Sequence, residues 1–340
     1  MKPTSKVLHA VAISAVLLLA TVLGACTPEP ETTTVINTTT KTTTQTEEKI
    51  VTQTVTETVT QVLHSVTDDR GATYEFAEPV DTIISLAPSN TEIVYFVGAG
   101  DKLIGRTDYC NYPEEVSAVE SIGGFSTPDK ERVVILDPDI VLATNLHVSN
   151  GDVAWLEDQG LDVLVLDPGD IGGILDDIIM VGRVTGNEAT ASAGVADLRA
   201  RIDAVTAATA GLGQDDRPSV LHVTWHDPLW TAGPDTFIGA VIDMAGGTSL
   251  FYDVSGDVQV DTELAVTRNP QVITVVTGHG DYGLDSYNYI VAADSPFVNT
   301  DAYINDMVMQ IDGDLASRFG PRLVGALELI AQFIHPELFP

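Results

Sequence analysis

The stretch "IISLAPSNTEIVYFVGAGDKLIGRTDYCNYPEE", Ile83 to Glu115, carries a complete strand–helix–strand unit and then an aromatic loop. "TIISLAP" (Thr82 to Pro88) is a β-branched apolar run of strand length, bounded by proline. Ser89 and Glu92 stand in capping-box spacing, so a helix is predicted to start there and to stop at Gly98 or Gly100. "KLIGRT" is the next strand, and it leads directly into Tyr109, Cys110 and Tyr112. Two strands joined through a helix make a parallel pair, which points to an α/β class.

Downstream the alternation continues. A helix near "DKERVVIL" is broken at Asp137-Pro138 before the strand "DIVLAT", and "VAWLEDQG" and "LDVLVLD" follow as helix and strand. The second half uses the same grammar: "PSVLHVTW" as strand, "DTFIGAVIDMAGG" as helix, then "ELAVTRNPQVITVV" as helix, proline break and strand. "VVILDPDIVLAT" and "LAVTRNPQVITVV" echo each other, which suggests two similar lobes, although such joints are common in α/β proteins. Between the halves, Gly186 to Gly213 is alanine-rich with apolar positions at helical spacing. The reading is therefore two Rossmann-like α/β lobes, residues 63–185 and 214–340, joined by a single long α-helix across 186–213.

Upstream of the lobes, Lys2 and Lys6 precede an apolar run from Val7 to Leu23 and then "LGAC". This reads as a secretory signal over residues 1–25; a membrane-spanning anchor is the alternative for a run of this length. The small pair Gly24-Ala25 before Cys26 resembles the lipobox of bacterial-type lipoproteins, which implies cleavage before Cys26 and a diacylglycerol on its thiol. Residues 26–62 are dominated by threonine and read as a tether, whose alternating Val-Thr end is able to pair as an edge strand.

Only two cysteines occur, so with Cys26 lipidated Cys110 has no partner; a small, partly buried hydrophobe is the expectation for it, a reactive or metal-binding thiol the alternative. A net charge of -33 over 340 residues argues against nucleic acid and against adsorption to an anionic bilayer, and 44% hydrophobic residues supply an ordinary core.

Taken together with "IGGFSTPDKERVVILDPDIVLA" and "FGPRLVGALELIAQFIHPE", the opening stretch resembles the periplasmic binding proteins of cobalamin and iron-chelate ABC importers, the cobalamin-binding lipoproteins above all. The resemblance runs from about Val66 to the C-terminus. It implies a ligand cleft between the lobes, a corrinoid as transported ligand rather than a resident cofactor, an ABC permease and ATPase complex as partner, and a monomer that performs no chemistry. Phe125 matches a position where such proteins set an aromatic against the corrin. Asp312 and Asp314 fall where they hold ligand amides, and Glu131 and Asp235 match the acidic residues that dock on the permease.

Other candidates come from the residues themselves. Tyr109 and Tyr112 leave a strand at the expected rim and present amphipathic rings, with packing beneath the loop the alternative for either. Trp225 and Trp230 flank His226, Asp227 and Pro228 and need cover, from ligand or from the other lobe. His279 and Tyr282 in "TGHGDYG" follow a strand at the same rim, where a solvated loop histidine is the plainer alternative to a metal ligand. Within the same class, a ferric siderophore or haem is the competing cargo, with Arg106 and Arg322 as its basic contacts. An extracellular enzyme lacks a nucleophile elbow, a phosphate loop and a His-Glu metal helix, and an adhesive stalk protein needs no aromatic residues gathered at strand ends.

Overall fold

The computed structural model describes the backbone of residues 33–40, 56–278 and 285–339, with side chains from Ser65 onward; the signal segment and Cys26 lie outside the described residues. The chain begins with strands β1 (Thr33–Thr40), β2 (Thr56–Thr67) and β3 (Thr73–Phe76), paired antiparallel in that order. Parts of the threonine-rich stretch read as a tether are thus strand, among them the Val-Thr end for which strand pairing is the alternative. Threonine is β-branched and suits a pleated backbone even without a core to bury.

The turn after β2 is stitched to the first lobe. Asp68, buried, accepts from the backbone N–H groups of Arg70 (3.0 Å), Ala72 (2.9 Å) and Val165 (3.2 Å) and from Arg70 Nε (2.9 Å). Arg70 and Tyr74 both donate to the Val163 carbonyl, at 2.8 and 2.6 Å.

The first lobe runs β4 (Ile83–Ser85), α1 (Pro88–Phe96), β5 (Leu103–Arg106), α2 (Lys130–Leu136), β6 (Ile140–Ala143), α3 (Asn145–Ser149), α4 (Asp152–Asp158), β7 (Val163–Val165) and α5 (Ile171–Thr185). Its four strands are all parallel, in the order β5-β4-β6-β7. After the connector α6 (Glu188–Thr209), the second lobe runs β8 (Ser219–Val223), β9 (Trp225–His226), β10 (Leu229–Ala232), α7 (Phe237–Met244), β11 (Thr248–Ser249), β12 (Asp257–Gln259), α8 (Thr262–Thr267), β13 (Val272–Thr277), α9 (Asp285–Val291), α10 (Asp301–Ile304), β14 (Val308–Asp312), α11 (Gly313–Ser317) and α12 (Leu323–Ile334). Its main sheet is also parallel, in the order β11-β8-β13-β14, which is the same spatial order as in the first lobe.

The echo between the halves is geometric as well. Asp137 and Asn269 both adopt left-handed backbone (φ 48° and 51°) immediately before Pro138 and Pro270. Short polar side chains tolerate that conformation, and the following proline keeps the helix from continuing.

Burial alternates along the strands with period two. Ile140, Leu142 and Leu164 face one core, whereas Val141, Ala143, Val163 and Val165 face another. In the second lobe Val220 and Val272 join the first of these cores, and Leu221, Val223, Ile273 and Val275 form a third. The shared core continues through α6, whose Ala191, Val195, Leu198 and Val205 lie on one face. At about 1.5 Å per residue, its 22 residues span about 33 Å. It is fastened near its start and past its middle: Gly182 of α5 approaches so closely that an added Cβ would stand 2.3 Å from that of Ala191, and Arg201 donates twice to Glu328 of α12, at 2.8 and 2.6 Å.

One buried group is at odds with its surroundings. Asp177 on α5 is 1% exposed, and among the described residues no N–H or hydroxyl group donates to either carboxyl oxygen; the carboxyl of Asp69 is near enough to share a proton with it. Burial, followed by the nearby negative charge of Asp69, pushes its pKa up to about 9. The folded form therefore keeps a proton that the unfolded chain gives up near pH 4. Stability from this group is complete below about pH 4 and declines as pH rises toward about 9. Asp177→Asn is expected to raise the melting temperature at pH 8 by at least about 2–4 °C, the equivalent of roughly 1 kcal/mol in a protein of this size, and to leave it unchanged near pH 4. Thermal unfolding at the two pH values reads this directly; equal shifts at both would contradict a neutral Asp177.

Candidate ligand cleft between the lobes

Open parallel sheets bind ligands beyond the carboxyl ends of their strands, at the point where strand order reverses. Here β4 and β6 are neighbours with their crossovers leaving in opposite directions, and the segments after them, Ala87 to Asn90 and Thr144 to Leu146, line a cavity of about 1200 Å³. The segments after β5 and β7 add Asp108, Tyr109, Asn111 and Asp167, and the second lobe adds Gly278, Asp314, Ser317, Arg318 and Phe319. Phe125 and its neighbours Gly124 to Thr127 close the wall.

The aromatic loop is held from behind by its cysteine. Cys110 is 2% exposed, with Sγ 3.1 Å from Thr91 Oγ1 and 3.2 Å from Thr107 Oγ1. Thr91 donates onward to Ser85 Oγ, whose hydrogen goes to the Ala87 carbonyl, both at 2.8 Å. The two flanking tyrosines then diverge. Tyr109 stands 62% exposed in the cleft, whereas Tyr112 lies beneath the Arg322 guanidinium, 4.1 Å from its ring centroid.

Glu92 departs from its expected local role. Helix α1 starts at Pro88, its N-cap residue Ala87 provides no side-chain cap, and no capping box forms. Proline at the first turn already lacks one of the N–H groups a cap would satisfy. Glu92 is instead buried at 2% exposure and accepts three hydrogen bonds from two arginines of the second lobe: Arg318 Nη1 at 2.8 Å and Arg322 Nε and Nη2 at 2.8 and 2.7 Å. Arg318 also donates to Asn111 Oδ1 (2.7 Å) and the Tyr109 carbonyl (3.1 Å) and pairs with Asp314 (2.8 Å), which accepts from Asn111 Nδ2 (2.9 Å). Pairing with Glu92 raises the pKa of Arg322 further above its ordinary value. Neither arginine is thus an unpaired cation; Arg106 donates to the Thr107 carbonyl at 3.0 Å.

The tryptophans occupy a different place from the loop expected for them. They lie opposite each other in the β9–β10 hairpin, part of an antiparallel sheet β12-β10-β9, and neither lines the cavity. The chain reverses at Asp227-Pro228, so the hairpin carries both rings on one sheet face. Trp225 Nε1 donates to the Asp227 carbonyl (2.8 Å), and its ring lies 4.6 Å from that of His226, which in turn lies 5.0 Å from Tyr289. Among the described residues, the aromatic contribution from the second lobe is Phe319, stacked at 3.9 Å on Phe237 of α7; its position in "FGPR" was part of the resemblance, yet nothing in the local pattern marked the ring itself.

Asp312 is turned away as the N-cap of α11, accepting from Asp314 N at 2.7 Å, so of that pair only Asp314 reaches the cavity. Glu131 is exposed in the first turn of α2. Asp235 is exposed too, with its carboxylate fixed by Ser255 Oγ and by Gly256 N (2.8 Å), bonds that lower its pKa. His279 and Tyr282 lie outside the described residues; Gly278, just before them, is at the cavity.

Two like lobes, a rigid connector and a large cleft walled by aromatic rings and fixed polar groups define a ligand-capture protein. Residues 83–315 match the family model for periplasmic binding proteins. The chain belongs to the periplasmic binding protein family, whose members work outside the cytoplasm and bind a substrate rather than transform it. It is 31% identical over 76% of its length to the ABC transporter substrate-binding lipoprotein YvrC of Bacillus subtilis, covering 81% of that protein. It is 34% identical over 76% of its length to a cobalamin-binding protein of Halobacterium salinarum, covering 70% of it. The vitamin B12-binding protein BtuF of Vibrio cholerae shares the fold at a TM-score of 0.65 and 24% identity, over 76% of this chain and 98% of that one.

Replacing Glu92 by alanine takes the carboxylate away from Arg322 and leaves Arg318 with Asp314 alone in a partly buried site, and breaking such a pair costs about 3–5 kcal/mol. Glu92→Ala is expected to lower stability by that order in denaturant titration. Joint replacement of Glu92, Arg318 and Arg322 by leucine should recover much of the loss, because the uncompensated charge goes with its partners. A loss below about 1 kcal/mol in the single variant would show that the network contributes little.

Proposed function

We propose that this chain captures a corrinoid such as cobalamin in the interlobe cleft and hands it to an ABC permease. Cys26 carries the lipid that holds it at the outer face of the membrane, and Glu131 and Asp235 serve as rim contacts for the permease. Rim charges of this kind steer docking and fix its register more than they add affinity.

The observation that carries the ligand reading is the lining itself. Tyr109, Phe125 and Phe319 offer flat apolar faces, while the acidic side chains are Asp108, Asp167 and Asp314 against a single arginine that is already engaged by Glu92, Asn111 and the Tyr109 carbonyl. Carboxylates accept hydrogen bonds from amide N–H groups and repel anions. A broad ring edged with neutral carboxamides suits such a lining; haem propionates and anionic ferric chelates do not. The similarity to a cobalamin-binding protein of Halobacterium salinarum supports the same reading.

Mixing the purified lobes with cyanocobalamin should yield a protein fraction that retains the corrin absorbance through gel filtration and melts at a higher temperature. Phe125→Ala is expected to weaken binding by up to about tenfold, from the roughly 0.5–1.5 kcal/mol of an aromatic contact. Stabilisation by haem or a ferric chelate, with none by any corrinoid, would move the cargo assignment. Titration calorimetry of the three ligands decides between them.

A further inference from the structure

Phe125 sits in a loop, yet its ring and its carbonyl are both held by one buried side chain. His147, on α3 and 0% exposed, has Nε2 2.9 Å from the Phe125 carbonyl oxygen, and its ring meets the Phe125 ring edge-on at 5.4 Å and 84°. Its other nitrogen, Nδ1, lies 3.2 Å from the Thr144 backbone N and 3.0 Å from Thr144 Oγ1. The tautomer follows from the partners. A backbone N–H only donates, so Nδ1 accepts; a carbonyl only accepts, so Nε2 carries the hydrogen. Since Thr144, Asn145 and Leu146 line the cavity as well, His147 ties together two adjoining parts of its wall.

We propose that His147 is a positioning residue for ligand capture, which holds Phe125 against the cargo only as the neutral imidazole, so that acidification loosens the wall and weakens binding. A second proton on Nδ1 would confront the Thr144 N–H, donor against donor, and remove the acceptor that fixes the ring. Among the described residues, the charged group acting on His147 is Asp152 of α4, 6% exposed, whose carboxylate is matched by Lys130 of α2 at 2.8 Å. Burial outweighs Asp152 and lowers the His147 pKa, which keeps the imidazole neutral at pH 7 and sets the transition on the acid side of 6.5. The proposal rests on the corrinoid reading for the identity of the cargo, though not for the link between His147 and Phe125.

The test compares wild type with His147→Gln, whose amide offers the same acceptor and donor without titrating, and with His147→Leu, which offers neither. Cyanocobalamin affinity of the wild type should fall with pH below the His147 transition, approaching about tenfold per pH unit. The glutamine variant should keep near-neutral affinity across that range, and the leucine variant should be weak at every pH. In parallel, nitrogen-15 spectra of the ligand-free protein should show the Phe125 amide shifting in step with the His147 ring nitrogens. An identical acid limb in wild type and the glutamine variant, or a Phe125 amide indifferent to His147 titration, overturns the proposal. If cyanocobalamin fails to bind wild type at pH 7.5, the cargo reading falls, and the ligand-free spectra still decide whether His147 controls Phe125.

Discussion

The pairing of Glu92 with Arg318 and Arg322 is the constraint on which the cleft depends. A carboxylate on the first helix of one lobe is buried only because two guanidinium groups from the last helices of the other lobe reach it. Neither partner is comfortable alone: removing either leaves an ion without its hydration or its counter-charge. The same Arg318 holds the Tyr109 carbonyl, Asn111 and Asp314, so the geometry of the aromatic loop is set by the partner lobe as much as by its own. The electrostatics of the site follow from this. With its cations engaged in holding the lobes together, the lining presents carboxylates and rings, and what the cleft can accept is shaped by a bond made for structure.

The shared core through α6 supports this arrangement from the opposite side. Apolar residues from both sheets meet on one continuous helix, which the Gly182–Ala191 approach and the Arg201–Glu328 pair hold in place. A connector of that kind resists bending far more than a pair of extended strands, so relative motion of the lobes is limited to small adjustments at the Glu92 side. Ligand selectivity then rests on walls built in advance, with Cys110 behind Tyr109 and His147 behind Phe125.

Much of the fold was legible because its signals are local. Runs such as Ile140 to Ala143 have the length and branching of buried strands, and Asp137-Pro138 and Asn269-Pro270 mark helix ends that any chain would respect. The family resemblance placed the cleft, and Tyr109, Phe125 and Asp314 do lie along it. What escaped were the relations that have no local signature. Glu92 reads as a capping residue because its true partners are 226 and 230 residues away. Tyr112 and Tyr109 look equivalent until Arg322 covers one of them. Trp225 and Trp230 look like a loop pair because a two-residue reversal between short strands leaves no periodic trace, and Phe319 is inconspicuous until Phe237 is seen beneath it.

The stitching of Asp68, Arg70 and Tyr74 to β7 has a mechanical side. A load on the chain ahead of residue 65 reaches the first lobe directly through this stitching, and the second lobe is joined to it through the shared core, α6 and the Glu92 contact. The load path is therefore lopsided: the half stitched to the incoming strands takes a pull first, and the half bearing Arg318 and Phe319 feels it second-hand.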